Sequence, residues 1–102
     1  MAALVVLTTV PNAAAGTKLA RVLVKSGAAA CVNVIPGARS IYRWKGKIES
    51  SREALLLVKA PKKNFRAIER LVREKHPYDL PEVLALPVAG GSAGYLRWLR
   101  AR

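Results

Sequence analysis

The chain has 102 residues, 52% of them apolar, which suits one domain with a real core. Eighteen Lys and Arg face six Asp and Glu, a net charge of +12 that attracts polyanions and says little about fold. The lone Cys31 excludes an intrachain disulfide, and no stretch approaches the roughly 18 apolar residues of a membrane span.

"MAALVVLTTVPN" has no basic segment ahead of its apolar run, so it reads as a buried strand and not as a signal peptide. With the unpaired cysteine, this gives the expectation of a soluble cytoplasmic protein with no membrane partner. Ala3 to Thr9 is the first strand, closed by Pro11. Asn12 can cap a helix in which Ala15, Leu19, Val22 and Leu23 recur at helical spacing, with Lys18, Arg21 and Lys25 opposite. Gly27 stands where a helix-ending glycine belongs. Ala29 to Ile35 is extended again, completing a βαβ unit.

Pro36 and Gly37 then interrupt. A turn between two strands and a bulge in one long strand both fit, and the bent strand is preferred. Strand character resumes over "SIYRW", Ser40 to Trp44, and reverses at Lys45-Gly46. The return strand runs from Ile48 to Ala60, with an irregularity expected at Ser50 and Ser51. A strand of about 14 residues spans roughly 45 Å, whereas a domain of about 100 residues has a radius of gyration near 13 Å. The hairpin should therefore overhang, exposing Ile41, Tyr42 and Trp44, and a second copy of the chain is the simplest cover.

Pro61 suits the start of a second helix striped by Phe65, Ile68, Leu71 and Val72, ending near Lys75 because Pro77 follows. Glu82 to Val88 is the last strand, and a short helix from about Ser92 presents Tyr95, Leu96 and Leu99. The order β-α-β-β-α-β plus one helix is the ferredoxin-like α+β arrangement, a single domain over residues 1–102. That fold alone fixes no chemistry.

His76 with Asp79 and Glu82 nearby, and Cys31 as a soft ligand, could take a divalent metal. The structural alternatives are a His76 that packs under its loop or caps a helix end, and a Cys31 that packs as a small hydrophobe. Nothing has CxxC or HExxH spacing. Tyr42 and Trp44 share a strand face and, with Arg43, Lys45 and Lys47, could form a nucleic-acid platform or pack in a subunit interface. The aromatic strand motif of RNA-recognition domains is absent, and diffuse charge argues against sequence-specific recognition. No nucleophile elbow, P-loop or GxGxxG occurs, so no enzyme is expected.

"AACVNVIPGARSIYRWKGKIE", Ala29 to Glu49, resembles the signature stretch of the CutA family of divalent-cation tolerance proteins. "HPYDLPEVLALPV", His76 to Val88, resembles its second signature, and "YLRWL" and "TTVPN" also fit. The resemblance implies a homotrimer of ferredoxin-like protomers whose hairpins reach neighbouring subunits, similar to PII-type signalling trimers. It implies a role in copper and divalent-cation tolerance by binding, with Cys31 among the metal ligands, to which the residue reading adds His76. It places Tyr42, Trp44, Lys45, Tyr78 and Glu82 at a cleft between subunits. Two further readings are a PII-like module for a small anion or protein partner, and a nonspecific polyanion binder. Two departures stand out. Thr8 and Thr9 occupy first-strand positions where some members carry cysteine, and the helix "PKKNFRAIERLVREK" is far more basic than usual.

Overall fold

A computed structural model describes residues 2–101. Its elements are β1 (Ala3–Val10), α1 (Ala13–Lys25), β2 (Cys31–Trp44), β3 (Lys47–Pro61), α2 (Phe65–Lys75), β4 (Leu84–Pro87) and α3 (Ala93–Arg100). This is the expected ferredoxin-like order with one appended helix. The four strands form one antiparallel sheet in the order β2-β3-β1-β4.

Strand alternation builds the core. Leu4, Val6, Thr8 and Val10 of β1 lie beside Ala60, Val58, Leu56 and Ala54 of β3, all buried on one face. That face receives Leu19 and Leu23 from α1 and Ile68 and Val72 from α2. Asn12 caps α1 by accepting from the Ala15 amide at 2.8 Å. Ser92 caps α3 in the same way, at 3.4 Å from the Tyr95 amide.

The opposite face has no helical layer over its centre. Across the sheet, Leu57, Leu7 and Leu84 form one row, and Lys59, Val5 and Leu86 the next. Leu84 and Leu86 remain 57% and 49% exposed. α3 covers only one end of this face, where Leu99 packs on Ala3 and Ala30.

β2 and β3 are two long bent strands, not four short ones. Their register shifts once, between Ile35 and Ala38, where Gly37 takes φ +80°. That is a bulge, and only glycine adopts such a backbone without strain. β1 pairs with β3 only as far as Ala54, so residues 38–53 leave the sheet as a two-stranded ribbon. The molecule accordingly measures 45 × 25 × 23 Å. Lys45 and Gly46 turn the ribbon with φ of 51° and 78°, both left-handed as a type I′ turn requires.

Three local expectations need revising. Ser50 and Ser51 pair with Ile41 and Ser40 without any shift, since both serines are exposed or half-buried and impose no packing conflict. Pro61 ends β3 instead of opening α2, and a 3-10 turn, Lys62–Asn64, intervenes. The last strand is confined to Leu84–Pro87, because only those residues find partners on β1.

Thr8 is fully buried on the helical face, and its Oγ1 has no hydrogen-bond partner among the described residues. A buried unpaired hydroxyl costs about 1–3 kcal/mol of desolvation. Thr8→Val, of nearly the same shape, should therefore raise unfolding stability by about 1 kcal/mol in a denaturant titration. A loss of stability would mean that the hydroxyl is satisfied.

Candidate functional site

The chain's chemistry gathers where the ribbon leaves the sheet. Glu53 closes the ribbon on β3 and is only 7% exposed. Its Oε2 accepts from the Tyr78 hydroxyl at 2.8 Å. Tyr78 reaches it from the loop after α2, which Pro77 releases from helical geometry at His76. On the same ribbon face as Glu53, the Tyr42 hydroxyl meets Ser51 Oγ at 3.0 Å. Ribbon and loop are thus tied to each other through a buried carboxylate.

His76 anchors that loop from beneath and is 8% exposed. Its Nδ1 accepts from the Tyr78 amide at 3.1 Å, and its Nε2 lies 2.7 Å from the Thr9 carbonyl. A nitrogen that accepts an N–H bond carries no proton, so Nε2 bears the hydrogen and donates to Thr9. Both nitrogens are therefore committed inside the protomer. It also packs on the Tyr78 ring, with centroids 4.6 Å apart.

Desolvation of the Tyr78 hydroxyl, then its hydrogen bond to Glu53 and the Glu53 charge, push the Tyr78 pKa from 10.0 up to about 12. Tyr42 adds in the same direction. Because the folded value lies above the unfolded one, this stabilisation is complete below about pH 10. It is lost as pH rises through about 12.

Of the residues the sequence singles out, Tyr42 and Tyr78 come together around Glu53. Trp44 and Lys45 lie further out, at the ribbon tip. Glu82 is half-buried just before β4. Cys31 is half-buried and stands elsewhere, in the row of Lys59 and Val5. His76 holds Thr9, four residues further along β1, roughly 13 Å by strand rise. A metal bond is about 2.0–2.3 Å long, so one ion cannot span the two within a protomer. Among the described residues, no three His, Cys, Asp or Glu side chains cluster to hold a metal. One protomer alone thus does not fit a metal centre.

Glu53 is the residue that sequence reasoning passed over. Its signal was present: a carboxylate, one of only six acids, at the head of the apolar run "EALLLVKA". Nothing local reveals that Tyr78, 25 positions away, supplies its partner.

A family model described as CutA1 divalent ion tolerance protein matches residues 4–102. The divalent-cation tolerance protein CutA of Thermus thermophilus is 47% identical over 96 residues, covering 94% of this chain and 93% of the relative. The solved divalent cation tolerance protein from that organism superposes with a TM-score of 0.95 at 45% identity, covering 97% of this chain and 96% of that one. The chloroplastic protein CutA of Arabidopsis thaliana is 47% identical over 95% of this chain, which spans only 53% of that longer relative. The chain belongs to the CutA1 divalent ion tolerance family.

Replacing Glu53 by Gln keeps an oxygen acceptor and removes the charge. A spectrophotometric titration of Glu53→Gln should show the last tyrosine ionising below about 12 but still above 10.0, because burial of the hydroxyl, the larger cause, remains. An unchanged titration would separate Tyr78 from Glu53.

Proposed function

We propose that this protein works as a homotrimer that binds divalent cations, copper among them, at clefts between subunits, without catalytic turnover. The observation that carries the reading is the uncovered apolar sheet face, with the ribbon projecting beyond it. Leu84, Leu86 and Ile35 are each more than 40% exposed there. A patch of this kind is usually an interaction surface. A closed ring of identical chains covers the face and gives each ribbon a neighbour to rest on.

Such an assembly also lets a neighbour supply the ligands that Cys31 lacks within one protomer, whereas His76 keeps both ring nitrogens on Thr9 and Tyr78 and serves to hold the loop. Tyr42, Trp44, Lys45, Tyr78 and Glu82 then line the cleft at the ribbon. The tolerance names carried by the relatives support a cation as ligand. Among the described residues, no helix is long and apolar enough to cross a membrane. The same reading locates the protein in the cytoplasm, consistent with its single unpaired Cys31.

The test uses a variant that cannot assemble. Leu57→Glu places a charge at the centre of the open face and leaves the helical core untouched. Calorimetric titration with Cu²⁺ should show binding to the wild-type protein and at least tenfold weaker binding to a folded, monomeric Leu57→Glu. Cys31→Ser should weaken the wild-type heat as well. Equal binding by the monomeric variant would place the site within one protomer and overturn the cleft. No copper binding by the wild type would favour the signalling-module reading.

A further inference from the structure

The outer surface of the helical layer is unlike the rest of the molecule. α1, the 3-10 turn and α2 together carry nine Lys and Arg against two Glu, and all nine cations are exposed. More than half of the chain's net charge of +12 thus sits on these three elements. The cations are also ordered. Lys18, Arg21 and Lys25 recur at i, i+3 and i+7 along α1. Arg66, Arg70 and Arg73 recur at i, i+4 and i+7 along α2. Each series forms one stripe on its helix, opposite the buried Leu19 and Leu23 or Ile68 and Val72. Both helices pack on the same sheet face, and both stripes are exposed on that side of the molecule, Arg21 and Lys25 beside Val32 and Val34 of β2, and Arg66, Arg70 and Arg73 beside Asp79 and Pro81.

We propose that this two-stripe layer is a docking surface for the phosphate backbone of double-stranded nucleic acid, without sequence recognition. Charge complementarity carries the choice of partner. Guanidinium groups match phosphate oxygens in a bidentate way, and a duplex is the densest regular array of phosphates. No exposed aromatic ring lies on α1 or α2, because the exposed Tyr and Trp side chains all belong to the ribbon, the loop after α2 and α3. Base stacking, on which single-strand binding depends, is therefore unavailable there. So is the aromatic insertion that anchors an interfacial helix in lipid.

Glu69, Glu74 and Asp79 border the α2 groove beside the three arginines. The groove is therefore no pocket for a single phosphate. What attracts the duplex is the summed charge of the layer, which acts through counterion release. The surface lies opposite the open sheet face, so it does not depend on how that face is covered.

The test is fluorescence anisotropy with a labelled 20-base-pair duplex of random sequence, titrated between 50 and 200 mM salt. Two triple variants remove equal charge: Arg66→Ala/Arg70→Ala/Arg73→Ala on α2, and Arg39→Ala/Arg43→Ala/Lys45→Ala on the ribbon. The wild type should bind, with affinity falling steeply with salt. The α2 variant should bind at least tenfold more weakly, with the log–log salt slope reduced by roughly 2–3 for three lost phosphate contacts. The ribbon variant should stay within about threefold of wild type. Equal losses in the two variants would reduce the effect to net charge and overturn the surface. Absence of duplex binding at 50 mM salt, or tighter binding to phosphatidylserine vesicles than to the duplex, would overturn the partner.

Discussion

The structure turns on a sheet that is fully covered on one face and only at one end of the other. Alternation along β1 and β3 gives two apolar faces, whereas the order of elements supplies two main helices to just one of them. A half-buried antiparallel sheet normally turns a polar face to water. Here the second face offers Val5, Leu7, Leu55, Leu57, Leu84 and Leu86. Apolar surface of this extent is favourable only when removed from water. The proposed assembly, with its support of the ribbon and its ligand cleft, rests on that constraint.

The Glu53–Tyr78 hydrogen bond is its local counterpart. A two-stranded ribbon is marginal alone, so its root must be fixed if its tip is to reach a defined place. Glu53 fixes it to the loop after α2, and His76 fixes that loop to the end of β1 through the Thr9 carbonyl. The carboxylate is buried at the cost of its hydration and is offset by a phenol that stays protonated to about pH 12. A residue type suited to ligand binding therefore serves here to position the ribbon.

Much of this was legible in the sequence, because periodicity reports burial directly. The stripe of Ile68 and Val72 in α2 places its part of the core without any structure, whereas the continuous apolar run of β1 marks a buried strand without telling its two faces apart. Pro36-Gly37 announced a break, but whether it was a turn or a bulge depended on register with β3, which no local residue encodes. Pro61 was ambiguous for a similar reason: the φ that suits a first helical turn also suits the end of a strand. The candidate site was only half legible. Tyr78 and His76 are close in sequence and in space, whereas Glu53 joins them only through the fold. Cys31 and His76 each suit a metal by residue type, yet the strand order sets them far apart. Residue chemistry was readable, and long-range proximity was not.

The central claim is that copies of the chain cover the open face. Sedimentation equilibrium at micromolar concentration, in enough salt to suppress charge repulsion, tests it most directly. The account predicts one species of three times the 11.0 kDa chain mass, with no monomer at the lowest concentration measured. A single species of 11.0 kDa would contradict it.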